Sequence, residues 1–114
     1  MAFQIGSTML DACVLAILAQ GDTYGYRITQ QVRSVVDISE STLYPVLRRL
    51  QKDQALESYD RAYQGRNRRY YRLTARGASL YADYKNQWKD FRQTIDQIIL
   101  GEELTKGGID DDQN

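Results

Sequence analysis

One hundred and fourteen residues with 42% hydrophobic content make one ordinary domain with a modest core. The chain has no histidine and a single cysteine, Cys13, which argues against a zinc site, an intrachain disulfide and histidine-based catalysis. Fifteen basic and fifteen acidic residues cancel overall, but from Arg48 to Arg76 nine basic residues oppose three acidic ones, and this local charge of +6 is the field that an anionic partner would meet.

Ser7 or Thr8 can cap a first helix from about Met9 to Gln20, which Gly21 and Asp22 end. Its residues leave almost no polar side, so it must be covered all round, at the centre of the domain or between the domain and a second subunit. It is too short to span a bilayer, and the chain start lacks a basic region followed by a cleavable apolar segment. A cytoplasmic protein with no membrane partner is expected. Cys13, in an apolar run without a cationic neighbour, reads as core filling.

Thr23 is a plausible cap for a second helix, Tyr24 to Val36, with Tyr24 or Gly25, Ile28, Val32 and Val35 or Val36 inward. After a short turn at 37–39 comes SESTLYPVLRRLQKD, Ser39 to Asp53. As a helix it buries Leu43, Val46, Leu47 and Leu50 on one stripe and turns Ser41, Tyr44, Pro45, Arg48 and Lys52 outward. With Ser41 as cap, Pro45 loses a bond the helix barely needs; with Ser39 as cap, a mild kink is expected. A row of hydroxyls ending in positive charge suits a nucleic-acid groove, although an ordinary solvated face has the same ingredients.

Beyond Asp53 the period becomes alternating. Leu56–Arg61 and Arg68–Thr74 read as two tyrosine-rich strands joined by residues 62–67, with Tyr71 and Leu73 facing the core and Arg68, Tyr70 and Arg72 facing out. The tip, Gln64-Gly65-Arg66-Asn67-Arg68, combines amides and guanidinium groups. Thr74 can cap a last helix from Ala75 to about Leu100, stopped by Gly101. In it Tyr81, Tyr84, Trp88, Phe91, Ile95 and Ile98 recur at steps of three and four, a heptad seam. At roughly 39 Å this helix outruns what the domain could cover, so the seam asks for another chain, and a homodimer is expected.

Three helices and a hairpin describe a winged helix-turn-helix, a mainly α fold with a small β-hairpin, here followed by a long C-terminal dimerisation helix. The expected division is 1–74 for the DNA-binding domain, 75–100 for the dimerisation helix and 101–114 for an acidic, disordered tail. In such a fold the third helix enters the major groove and the hairpin reaches a phosphate backbone or the minor groove.

Gly25-Tyr26, Thr42-Leu43-Tyr44-Pro45-Val46-Leu47-Arg48-Arg49-Leu50 and Gly65-Arg66-Asn67-Arg68-Arg69-Tyr70-Tyr71-Arg72-Leu73-Thr74 together resemble PadR-type transcriptional regulators, from Met9 to about Leu100. The single C-terminal helix is similar to that of the smaller PadR subfamily. The resemblance implies a dimeric winged-helix repressor of double-stranded operator DNA, relieved in some members by phenolic or multidrug-like compounds; because a dimer presents two third helices to two half-sites, the operator is expected to be an inverted repeat. A small enzyme is the weakest reading, because without histidine, with one buried-looking cysteine and no paired-carboxylate constellation the chain lacks the usual acid, base and nucleophile sets, and no cofactor is expected. Two features depart from the pattern: Gln54 stands where the family usually has glycine, and the acidic tail has no counterpart.

The DNA-contact set is Ser41, Thr42, Tyr44 and Arg48 from the third helix with Arg66 and Arg68 from the wing. Arg69 and Arg72 have the alternative of simply flanking the strand tyrosines. Tyr24, Gly25 and Tyr26 either pack or meet a phosphate at a helix start. Trp88 is either a knob in the heptad seam or, with Phe91, Leu15 and the lesser candidates Phe3 and Ala12, part of an effector surface. The competing reading of the whole chain is a winged-helix module that binds protein rather than DNA.

Overall fold

The computed structural model describes residues 6–101, which form α1 (Ser7–Ala19), β1 (Thr23–Tyr24), α2 (Gly25–Arg33), α3 (Glu40–Lys52), β2 (Leu56–Tyr63), β3 (Arg66–Leu73) and α4 (Ala75–Ile99). Phe3 and the acidic tail from Glu102 lie outside the described residues. The three strands make one antiparallel sheet in the order β1-β3-β2, so the molecule is a winged helix with a long fourth helix.

The core lies where the apolar stripes of the first three helices converge. Leu10, Val14, Leu15 and Leu18 of α1 meet Ile28 and Val32 of α2 and Leu43, Val46, Leu47 and Leu50 of α3, with Ala55 and Leu56 closing the side toward the sheet. The stripe expected in α3 is therefore the buried one, and burying each such side chain contributes roughly 1.5–3 kcal/mol. α1 departs from the expected all-apolar rod. Asp11 is only 5% exposed and accepts two hydrogen bonds from Arg49 of α3, at 2.9 and 2.7 Å. This paired fork satisfies a carboxylate that would be costly to bury alone, and it fixes α1 against α3. The bond to Asp11 pushes the Arg49 guanidinium above its ordinary pKa against the opposing effect of burial.

Helix α2 and both hairpin strands differ from the expected boundaries. Helix α2 is shorter at both ends: Thr23 and Tyr24 form a strand that pairs Thr23 with Tyr71 and Tyr24 with Tyr70, and Val35 is exposed beyond the helix while Val36 packs inward. Tyr24 rather than Thr23 is the N-cap of α2. Likewise the hairpin strands run farther than expected, from Leu56 to Tyr63 and from Arg66 to Leu73, leaving a turn of two residues. Gln64 and Gly65 both take positive φ, 51° and 80°, the condition for the tight turn whose twist suits a hairpin. No side-chain cap forms on α1, whose N-cap is Gly6.

The junction between α3 and the sheet is tightly bonded. At the end of α3 the Ala55 amide donates to the Leu50 carbonyl (2.9 Å) and the Gln54 amide to the Gln51 carbonyl (3.0 Å), which is a Schellman motif with its left-handed residue at Gln54, φ 66°. This is the position where the family usually has glycine, and the motif forms regardless. Gln54→Gly is expected to raise stability by about 0.5–1 kcal/mol, the cost of left-handed backbone outweighing the chain entropy that glycine loses. Urea denaturation checks it; a neutral or lower midpoint would show that Gln54 is not strained. Thr74 closes the junction from the other side: its Oγ1 donates to the Gln54 carbonyl (2.7 Å) and accepts from the Gly77 amide (2.9 Å), capping α4 as expected.

Candidate nucleic-acid interface

The outward face of α3 follows from its inward one. With Leu43, Val46, Leu47 and Leu50 buried, Ser41, Thr42, Tyr44, Pro45, Arg48 and Lys52 are all exposed. Ser39, the N-cap of α3, gives its hydroxyl not to a backbone amide but to the side chains that follow: its Oγ lies 3.1 Å from Ser41 Oγ and 2.9 Å from Thr42 Oγ1. Three hydroxyls at the helix start are thus linked, each still with hydrogen-bonding capacity toward a ligand. Pro45 has no N–H for the Ser41 carbonyl, so that acceptor loses its partner within the helix.

The wing stands beside this face. Tyr44 of α3 lines one cleft together with Tyr24, Gly25 and Tyr26 at the start of α2 and Arg68, Arg69 and Tyr71 of β3; its volume is about 550 Å³. Burial raises the pKa of the Tyr71 hydroxyl, against the lowering effect of the nearby Arg69 and Arg48, and Tyr71 therefore remains a neutral donor at neutral pH. A second cleft, about 420 Å³, lies at the hairpin tip between Tyr63, Gln64, Arg66, Asn67 and Arg68. The structure thus brings Tyr44 and Arg68 together at one cleft and Arg66 and Arg68 at the next, while Ser41 and Thr42 stand one turn along the same helix. Tyr24 and Tyr26, expected either to pack or to meet a phosphate, line the first cleft, whereas Tyr63, at the second, was not singled out from the sequence. The two-residue turn is the signal that would have placed Tyr63 at the tip.

Charge is distributed to match. The ion pairs among the described residues engage Arg49 with Asp11, Arg72 with Glu57 at 3.0 Å and, loosely, Arg69 with Asp60 at 3.9 Å. Arg48, Arg66 and Arg68 take part in none of them. Arg69 and Arg72, which have the alternative of flanking the strand tyrosines, each answer to a carboxylate, whereas the three arginines expected to meet DNA form no ion pair among the described residues.

Between α1 and α4 lies an open apolar cavity of about 330 Å³ lined by Met9, Ala12, Cys13, Ala16, Tyr81, Tyr84, Lys85 and Trp88. Trp88 and Ala12 are where an effector surface was expected. Leu15 is not: it is fully buried in the core, because Ala12 and Ala16 share the face of α1 that looks at α4, and Leu15 falls on the face toward α3. Phe91 stands a turn beyond the cavity, its ring 6.1 Å from that of Trp88. Burial raises the Cys13 pKa, so this thiol remains protonated and weakly nucleophilic at neutral pH. Among the described residues no group of His, Cys, Asp or Glu could hold a metal ion, and no helix is long and apolar enough to cross a membrane.

A helix-turn-helix with an arginine-bearing wing beside the exposed face of its third helix is the architecture of winged-helix DNA-binding regulators. Comparison with known proteins gives the same class. The model of the transcriptional regulator PadR-like family matches residues 14–83. The transcriptional regulator Rv3488 of Mycobacterium tuberculosis is 30% identical over 95 residues, covering 82% of this chain and 86% of that protein. Among solved structures, smu.1704 from Streptococcus mutans superposes with a TM-score of 0.81 at 35% identity, over 98% of this chain and 100% of that one. The PadR-like regulator BC4206 from Bacillus cereus gives 0.75 at 30% identity, over 82% and 94%. The chain belongs to the PadR-like family of transcriptional regulators, and it is a DNA-binding regulator rather than an enzyme.

Proposed function

We propose that the protein is a homodimeric, sequence-specific repressor that lays one α3 into each of two major-groove half-sites and is released by a small aromatic or hydrophobic, multidrug-like effector. The observation that carries the DNA contact is the cleft shared by Tyr44 of α3 and Arg68 of the wing. This reading is supported because the exposed face of α3 and the arginine-bearing wing share one surface, as groove reading and phosphate binding together would require. Ser41, Thr42, Tyr44 and Arg48 read; Arg66 and Arg68 anchor.

Dimerisation draws support from α4. Tyr81, Tyr84, Trp88, Phe91 and Ile95 are half-buried, yet the seam continues into Ile98 and Ile99, which are 74% and 73% exposed, and Leu100 is exposed too. An apolar end of this kind on a helix that leaves its own domain is costly in water, and a second copy would cover it. Residues 75–100 then act as the dimerisation helix on a DNA-binding unit formed by 1–74. Two copies would present two α3 helices, so the operator is expected to be an inverted repeat with half-site centres about 34–36 Å apart, or a multiple of that. The effector surface is the α1–α4 cavity beside Trp88, which the second copy would border.

Binding-site selection from genomic DNA, followed by sedimentation of the free protein and of the complex, tests this reading. An inverted-repeat site bound by two chains is the expected result. A folded monomer at micromolar concentration removes the dimer. Salt-insensitive binding, or none, leaves the winged helix as a protein-binding module. Quenching of Trp88 fluorescence by planar aromatic compounds, with loss of operator binding, is expected for the effector; no response across a broad panel leaves Trp88 as packing.

A further inference from the structure

Arg68 is the wing arginine whose surroundings are most closely determined. Its Cζ lies 4.1 Å from the ring centroid of Tyr24 and 4.0 Å from that of Tyr63. The two rings come from opposite neighbours of β3: Tyr24 belongs to β1, where it pairs with Tyr70, and Tyr63 to β2, where it pairs with Arg66. Both are diagonal neighbours of Arg68 on one sheet face, within reach for side chains of this length.

The Tyr24 ring is itself held. Tyr24 meets Tyr70 edge-on (5.6 Å, 60°), and Tyr70 stacks on Tyr59 (5.7 Å, 27°). Arg61 lies over Tyr70 and Arg72 over Tyr59, while the Tyr59 hydroxyl donates to Asp22 at 2.7 Å. The outer sheet face is therefore a ladder of rings and guanidinium groups, and Arg68 occupies its tip end. A cation over a ring is held through its face, whereas a phosphate is bound through the in-plane N–H edge of the guanidinium. Both can operate at once on the same group. An arginine on a mobile stem loses rotamer freedom when it binds; one already held by two rings has lost it on folding.

We propose that Tyr24 and Tyr63 are positioning residues that hold Arg68 with its N–H edge outward, as a preformed two-pronged donor for a backbone phosphate of duplex DNA. Tyr24 is also the N-cap of α2. The clamp therefore ties the wing to the helix-turn-helix, and the two approach the duplex as one unit. This inference rests on the DNA-binding reading above.

Tyr63 is 44% exposed and outside the core, which makes it the substitution of choice. Tyr63→Leu, Tyr63→Phe, Arg68→Ala and the Tyr63→Leu/Arg68→Ala pair are titrated by fluorescence anisotropy against a mixed-sequence duplex of about 30 base pairs, long enough for two half-sites. The Arg68 Nε–Hε resonance of the free protein is recorded alongside. Tyr63→Leu is expected to weaken binding about three- to tenfold and Tyr63→Phe less than about twofold, with no further loss from leucine once Arg68 is alanine. The ring-current shift of the Arg68 Hε should persist in the phenylalanine variant and diminish in the leucine one. Tyr24→Leu is expected to repeat the pattern from the other side of the clamp. Unchanged binding in Tyr63→Leu, or an equal loss with and without Arg68, overturns the proposal. Failure of the unsubstituted protein to bind the duplex at any salt concentration overturns the DNA reading on which it rests, and the Hε shift then shows separately whether the clamp exists.

Discussion

Replacing Arg66 and Arg68 together by alanine is expected to weaken binding of the selected operator by roughly ten- to a hundredfold near physiological salt, since charge-assisted hydrogen bonds contribute about 1.5–3 kcal/mol each and part of that is screened. Arg66 stands exposed beside the two-residue turn, and Arg68 borders both the tip cleft and the cleft shared with Tyr44. Neither is neutralised by a carboxylate among the described residues. Two lost phosphate contacts should reduce the slope of log affinity against log salt by about 1.8. The loss should be nearly the same on operator and on mixed-sequence DNA, because phosphates carry no base identity. Arg48→Ala should behave differently. From the outer face of α3 it is expected to erode the preference for operator by about 1–3 kcal/mol while changing the salt slope by less. Anisotropy titrations on both duplexes across a range of salt separate the two patterns. A salt slope unchanged in the double variant would remove the wing from the interface.

Gly77→Ala should destabilise the fold by about 3 kcal/mol, lowering the thermal midpoint by roughly 10–20 °C for a domain of this size. By helix propensity alone the sign would be opposite, alanine being better than glycine by about 1 kcal/mol inside a helix. Position 77 lies in the first turn of α4, where the helix backbone presses on the chain at Ala55. A Cβ there would overlap the Ala55 carbonyl oxygen and crowd Leu73. The oxygen cannot withdraw freely, because it accepts the Thr74 amide at 3.1 Å, and Thr74 is bound in turn to Gln54 and Gly77. Moving any of these strands breaks another bond of the junction, so overlap outweighs propensity. Calorimetry reads the midpoint directly; an increase would show that α4 can shift away from Ala55 at little cost.

The inner and outer faces of α3 were legible in the sequence because periodicity and burial are local matters. Once Leu43, Val46, Leu47 and Leu50 claim one side of a helix, Ser41, Tyr44 and Arg48 have nowhere to go but outward. The hairpin, the cap at Thr74 and the long seam of α4 were legible for the same reason, each carried by neighbours within a few residues. Strand β1 was not. A two-residue strand has no period of its own, and Thr23 and Tyr24 become one only through pairing with Tyr71 and Tyr70, nearly fifty positions away. The wing loop was drawn too long because Gln64-Gly65 is a less obvious turn than asparagine-glycine, although both residues reach the required positive φ.

The sequence by itself therefore determined the class of fold, the third helix with its polar outer face, the wing and the family, since these rest on spacing and on motifs continuous along the chain. Only the tertiary structure decided what individual side chains do within that frame. It paired Arg49 with Asp11, sank Leu15 into the core while leaving Ala12 and Trp88 at the cavity, and set Gly77 against Ala55. It also placed Arg68 between Tyr24 and Tyr63. Each of these depends on how elements far apart in the chain dock and register against one another, which no local pattern encodes.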